Sequence, residues 1–360
     1  MAHLFARNRY AVAAIATLSM GILGPLHARA AAMICVQAGD YVGLQNALAT
    51  AANNGDDDVI MLQAGQYAMP STFVLDYEPS TEHHDLTIEG GFVEGGGNPC
   101  SSRVQDARAT VLHQGLLRLK MLGAATGSIT LNGLTVENAF SADANNAPVQ
   151  IFGGASLSSN VHIDNVMFAG NTSSATSAIY AFANLGALHI HNSLFASNAS
   201  FSTTNAVRLG TLQVSNAFCA EIINSTFAGN VASAGGAEIL GQCTTMAVND
   251  IFWGNPNGND VYFAFPQSTL LSNDDFFDLN EASNTESFDL LSIDPLFNLD
   301  FSLQDLSPLR DAGDPGGFLY TPGVLDLVGN PRVHGSKPDI GAYEITEIIF
   351  ANGFDFQLPF

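Results

Sequence analysis

Positive charge is the scarcest commodity in this chain. It has 11 Lys and Arg against 34 Asp and Glu in 360 residues, a formal net charge of −23. Such a surface repels phosphate instead of releasing its counterions, which argues against nucleic acid as a partner. Charged residues of either sign make only 12% of the chain, while hydrophobic residues make 47% and Phe alone numbers 24. A disordered chain has the opposite balance, so one large or two medium domains with a real core are expected. Cysteine is confined to Cys35, Cys100, Cys219 and Cys243, none in a Cys-x-x-Cys pair, which leaves zinc without its usual ligand spacing. Beyond the first thirty residues there is no apolar run of the roughly 20 residues a membrane-spanning helix requires.

Those first thirty residues read as an export signal. Arg7 and Arg9 precede an apolar stretch from Tyr10 to Gly24, and Ala28-Arg29-Ala30 supplies a small-x-small cleavage pattern. Cleavage is expected after Ala30, with Ala31 and Ala32 as neighbouring alternatives. Met33 and Ile34 are too bulky for a lipobox before Cys35. Loss of three arginines and no acid would take the charge from −23 to −26. In an oxidising compartment, pairing of sequence neighbours gives Cys35–Cys100 and Cys219–Cys243. The second closes a loop of about 25 residues, worth about 3 kcal/mol in chain-entropy terms. Two pairs of buried free thiols are the alternative.

After the signal comes one convincing helix. Asp40 is a good N-cap, Leu44, Ala47, Leu48, Ala51 and Ala52 recur at helical spacing, and Gly55 is expected at C′. A strand, Val59–Leu62, follows and turns at Gly65. The middle of the chain is repetitive: Leu131–Val136, Ile163–Phe168, Ile190–Phe195 and Ile222–Phe227 align, and a looser copy ends at Phe252. Phe168-Ala-Gly-Asn171, Phe195-Ala-Ser-Asn198 and Phe227-Ala-Gly-Asn230 continue alike, at spacings of 32, 27, 32 and 25 residues from Val136 to Phe252. Periods of this size mean stacked units. Alternating β-branched and aromatic residues, with Gly and Asn at turns and almost no Glu, Lys or Arg, favour strands over helices. The expected fold is all-β, a right-handed parallel β-helix with a short N-terminal capping helix. Phe168, Phe195 and Phe227 should form an internal stack, and Asn171, Asn198 and Asn230 a ladder at a turn.

The repeats resemble those of right-handed parallel β-helix proteins of bacterial surfaces. Asp294–Phe297, Ser307–Asp314, Asp326–Arg332 and Asp339–Glu344 resemble, in order, the motifs of the choice-of-anchor Q domain. That resemblance implies a segment closing an exported β-helix. Ile348–Asp355 is similar to a short tail of exported Gram-negative proteins. The organisation expected is a signal peptide at 1–30, cap and first coils at 31–120, coils at 121–290, a closing segment at 291–345 and a tail at 346–360.

Candidates for chemistry are few. Between Lys120 and Arg310 the sole Lys or Arg is Arg208, whereas a lyase acting on an acidic polymer needs a cationic base and further cations to hold its substrate. Glycoside hydrolysis needs two carboxyl groups across a groove. Asp274 and Asp275, with Asp278, are the densest acids after the array, but the plainer reading is a solvated loop rich in Asn and Asp. Aligned copies place His162 on His189, Asp164 on His191, and Glu221 in line with His189. Alternation points His189 and His191 the same way, so the trio with Glu221 has the donors for a divalent metal or an acid–base pair. The plainer reading is a solvent-facing sheet of mixed polarity, with no metal and no cofactor beyond weak surface Ca²⁺. Glu82-His83-His84-Asp85 looks metal-like, yet neighbours on a strand face opposite ways. Asn257–Asp260 is a single calcium-roll-like copy, and Arg310, Arg332 and Asp339 read as ion pairs and turn formers.

These readings combine into an exported, monomeric surface or secreted protein of a Gram-negative bacterium, with the periplasm as the other destination. It would contact an extracellular polysaccharide or cell-surface partner without catalysis, through Asn, Ser and Thr, with few aromatics outside. The alternative is a carbohydrate-active enzyme, a polysaccharide hydrolase before a pectate-lyase-like one, with Asp274, Asp275, Glu221 and His189 as candidates.

Overall fold

The computed structural model describes residues 31–143, 145–266, 268–280, 284–316 and 323–346. The expected signal at 1–30 and the tail motif at 348–355 lie outside the described residues. The described chain is a parallel β-solenoid of about nine turns. Three stacked sheets form its sides. Sheet A stacks in parallel from Ala32–Val36 through Asp58–Gln63, Leu86–Gly95, Ile129–Glu137, Val161–Ala169 and Leu188–His191 to Thr285–Phe288, with a register shift between Met61 and Gln63. Sheet B begins at Gly65–Ala68 and Thr110–His113 and continues through Leu194–Ala196, Thr226–Ala228 and Ile251–Trp253. Sheet C stacks Val74–Tyr77, Leu116–Lys120, Val149–Phe152 and Ile179–Phe182 on the first residues of Val207–Ile223 and Ala237–Val248, then on Val261–Ala264. A short fourth ladder of two-residue strands lies between B and C.

The repeats dictate this geometry. Inward residues alternate with outward ones, and the inward Ile, Leu, Val and Phe form one continuous core from Val36 to Phe276. Phe168, Phe195, Phe227, Phe252 and Phe276 stack at centroid separations of 5.0, 4.5, 4.7 and 5.2 Å, extending the expected stack by two rings. The chain leaves sheet B through Gly170, Ser197, Gly229 and Gly254, all with positive φ. The asparagine that follows turns inward: Asn171 Nδ2 donates to Asn198 Oδ1 and Asn198 Nδ2 to Asn230 Oδ1, each at 3.0 Å. The corner between A and B uses a second left-handed column of Asn165, Asn192, Asn224, Asn249 and Asn273, a conformation that asparagine tolerates well.

The helix spans Tyr41–Ala51, and Asp40 caps it through Oδ1 to Gly43 N at 2.7 Å. Leu44, Ala47, Leu48 and Ala51 are buried against the first coils. The helix stops earlier than the glycine signal suggests, with Ala52 as C-cap; Gly55 (φ 72°) instead serves the following turn. Both cysteine pairings occur, Cys35–Cys100 and Cys219–Cys243. Cys100 sits on a hairpin arm, Asn98–Arg103, that pairs antiparallel with Leu86–Gly95.

The expected closing segment stacks on the last coil at its start, where Leu291 bridges Asp275 in parallel, and then turns along the side of the solenoid. The rest of its described part lies along the outer side of sheet B, where Leu327, Ala342 and Tyr343 pack on Ala107, Leu194 and Ala196, and Leu303, Leu309 and Ile340 pack on Ile251. Those outward positions are apolar because they are covered. Gly341 (φ 99°) makes the closest approach: Gly341 N donates to Asn249 O at 2.8 Å, and an added Cβ would lie 2.6 Å from Ile251 Cδ1. Arg332 is entirely buried and donates to Glu344 Oε1 (2.9 Å), Asn192 Oδ1 (2.8 Å), Gly341 O and Ala342 O. Asp339 accepts from the backbone of Asp311 and Ile345, which fixes the same turn.

Candidate functional site

The outer surface of sheet C brings aromatic rings and cations together. Val149, Ile151, Ile179, Ala181, Val207 and Leu209 point into the core, so alternation turns Gln150, Phe152, Tyr180, Phe182 and Arg208 to the other side of the sheet, where Gln150 and Phe182 are buried and Phe152, Tyr180 and Arg208 half-buried. Phe152 and Tyr180 meet edge to face at 4.9 Å, and Tyr180 and Phe182 at 5.6 Å. The Arg208 guanidinium lies 5.1 Å from the Tyr180 ring centre, and its Nε donates to Glu238 Oε2 at 2.5 Å. Lys120 pairs with Glu78 at 2.5 Å beside the rings. A depression of about 430 Å³ opens over these groups, lined by Lys120, Phe152, Tyr180, Phe182, Leu212 and Leu240. Arg118, Lys120 and Arg208, three of the chain's 11 Lys and Arg, thus lie on one face. Rings with a few oriented polar groups can hold a polyhydroxylated ligand, the rings against its apolar C–H faces and the charged groups on its hydroxyls.

This face carries aromatics where few were expected outside. No residue type recurs from one coil to the next along it: register partners run Gln150, Tyr180, Arg208, Glu238 and Tyr262. The signal was the alternation itself, once Val149–Phe152 and Ile179–Phe182 are recognised as equivalent strands.

Sheet A holds the other cluster. His162 is in register with His189, Asp164 with His191, and Glu221 with His189, as the aligned copies require. His162 and His189 stack at 4.6 Å, and His189 Nδ1 lies 2.9 Å from Glu221 Oε2. The hydrogen bond from His189 lowers the Glu221 pKa, while burial, then the neighbouring His189, holds His162 below its ordinary value. His191 Nδ1 is 3.2 Å from Asp164 Oδ1, within ion-pair range but without hydrogen-bond alignment.

Asp274 and Asp275 do not form a solvated loop. Both are fully buried. Asp274 continues an internal column at the A–B corner: Ser193 N donates to Ser225 Oγ, Ser225 N to Asp250 Oδ1 (2.6 Å), and Asp250 N to Asp274 Oδ1 (2.8 Å). Asp275 Oδ1 accepts from Ile293 N at 3.0 Å. Burial raises all three carboxyls, Asp275 to about 6 and Asp250 and Asp274 well above the ordinary range. These are turn-forming groups closed to a polymer. The four residues Glu82–Asp85 form a loop, not a strand, in which His84 lies 3.4 Å from Asp57 and 3.8 Å from Glu82. Asp260 is buried and accepts from the backbone of Asn255, Phe277 and Asp278, a turn function. Arg310 meets Asp311 at 3.8 Å on the surface. No helix among the described residues is long and apolar enough to cross a membrane. Comparison with known proteins assigns the chain to no family: no protein-family model, no curated protein and no solved structure matches it.

Proposed function

We propose that this chain is an exported bacterial β-solenoid that contacts glycans through the outer face of sheet C and leaves them uncut. The observation that carries the reading is the Phe152–Tyr180–Phe182 cluster with Arg208 stacked on Tyr180, open to a depression of about 430 Å³. Export is supported by the leader pattern in residues 1–30 and by two disulfides, which persist in oxidising compartments. The four motifs between Asp294 and Glu344 support a choice-of-anchor Q-like segment, here a side strap along sheet B, and with it display at a Gram-negative surface. Hydrolysis is the weaker reading because two of the three acids suggested for it, Asp274 and Asp275, are buried in turns, which leaves Glu221 without a second suggested carboxyl across a groove.

The test is a glycan-array screen of the secreted form, followed by chain-length analysis of every bound polysaccharide. Binding to one polysaccharide class with chain length unchanged supports the reading. Shortened chains would replace it with the hydrolase.

A further inference from the structure

We propose that His189, His191 and Glu221 form a binding site for one divalent transition-metal ion of the Zn²⁺, Ni²⁺ or Cu²⁺ type on the outer face of sheet A. One ligand atom from each of the three residues lies within 4.8 Å of the others. An ion bonded at about 2.1 Å in tetrahedral geometry holds its donors roughly 3.4 Å apart, so small side-chain rotations close the site. The backbone supplies the rest of the precision. His189 and His191 alternate on one strand, and Glu221 is locked opposite His189 on the next coil by the parallel register.

A second observation points to a ligand. Asp164 Oδ1 faces His191 Nδ1 at 3.2 Å, and on the far side of the ring the buried Nε2 has no hydrogen-bond partner. The unpartnered Nε2 is available to a metal, and a small rotation of the ring would bring Nδ1 into hydrogen-bond alignment with Asp164, the contact that orients a metal-ligating histidine. His162, stacked on His189 at 4.6 Å, holds that second ring in place. On the following coil Glu221 is in register with Met246, which packs with Ile223, Val248 and Leu270 into a buried apolar cluster. That wall excludes water from one side of the site and strengthens charge–ligand interactions there. Two imidazoles and one carboxylate select borderline ions over Ca²⁺ and Mg²⁺, which take all-oxygen shells. Three protein donors leave a fourth position open to water or an incoming ligand.

Isothermal titration of the untagged protein with Zn²⁺, in millimolar Ca²⁺ and Mg²⁺, tests the site. The expected result is one ion per chain with micromolar or tighter affinity. His191→Ala and Glu221→Gln should each weaken binding at least tenfold. Asp164→Asn should weaken it roughly 10- to 100-fold at unchanged stoichiometry. His84→Ala, in the loop cluster with Glu82 and Asp57, should leave it unaltered. Apo melting curves establish that each variant folds, and His191→Gln replaces any alanine variant that does not. Absence of binding at tens of micromolar Zn²⁺, unchanged affinity in both His191→Ala and Glu221→Gln, or loss confined to His84→Ala would overturn the assignment.

Discussion

Replacing Phe227 by alanine removes a fully buried ring stacked on both sides, on Phe195 at 4.5 Å and on Phe252 at 4.7 Å, with interplanar angles of 2° and 11°. Phe→Ala in a packed core costs about 3–5 kcal/mol, and each aromatic pair adds about 0.5–1.5 kcal/mol beyond area burial. A central ring with two partners should therefore lie at the top of that range, at about 5 kcal/mol. Phe276 ends the stack with one partner at 5.2 Å, so Phe276→Ala should cost about 1 kcal/mol less, one ring pair fewer. Phe227→Leu keeps most of the volume and should cost about 2 kcal/mol, chiefly the two lost pairs. Coils of a solenoid contact only their neighbours, so the damage should concentrate in the coils of Phe195 and Phe252. Urea denaturation with the disulfides intact gives the free energies, and amide exchange locates the loss. A cost for Phe227→Ala below about 2 kcal/mol, or no greater than that of Phe276→Ala, would refute the stacked core as the main source of cohesion.

Acidification should stabilise the fold between pH 7 and pH 5. Asp275 is pushed up to about 6 and Asp250 and Asp274 are raised as well, so the native state holds protons that the unfolded chain has released, and stability falls as pH rises through the window from about 4 to 6. Asp275 alone contributes about 3 kcal/mol across that window, at about 1.36 kcal/mol per pH unit; Glu344, pushed up to about 8 by burial, acts in the same direction up to pH 7, and His162, depressed by burial, works against them. Urea midpoints that are flat or lower at pH 5 than at pH 7 would contradict it. Arg332→Ala should cost about 3–5 kcal/mol by stranding the buried acceptors Asn192 Oδ1, Gly341 O and Ala342 O and removing the partner of Glu344. It should also let a protease cleave between residues 323 and 346 before the coils, and a protease pattern equal to wild type would count against the strap. Asn198→Ala strands buried groups of Asn171, Asn230 and Phe168 and should lower stability by about 2–4 kcal/mol, whereas a loss under 1 kcal/mol on the same urea scale would mean the ladder is dispensable.

The coil array was legible because its determinants recur in register. Phe168, Phe195 and Phe227 occupy one inward position, Asn171, Asn198 and Asn230 the next turn, and once these are aligned the His162–His189–Glu221 register follows without further information. Asp274 was misplaced because an Asn-Asp doublet reads as a polar loop. Its column mates Ser193, Ser225 and Asp250 each follow a left-handed asparagine, and that shared pattern marks a buried corner. The aromatic face of sheet C was hidden for the opposite reason: outward positions carry no repeating constraint, so Gln150, Tyr180 and Arg208 vary from coil to coil. The motifs of the strap imply a closing segment but carry no information on which side of the solenoid they meet. The apolar outward residues Leu194 and Ile251 carry that information.

The central claim is that sheet C's outer face makes the glycan contact, and a paired titration tests it most directly. Wild type and Tyr180→Ala are titrated with the polysaccharide that binds best, alongside His162→Ala on sheet A as a matched surface change. The account predicts at least a tenfold loss for Tyr180→Ala, unchanged affinity for His162→Ala and intact polymer throughout. Equal affinity of Tyr180→Ala and wild type, or loss confined to His162→Ala, would contradict it.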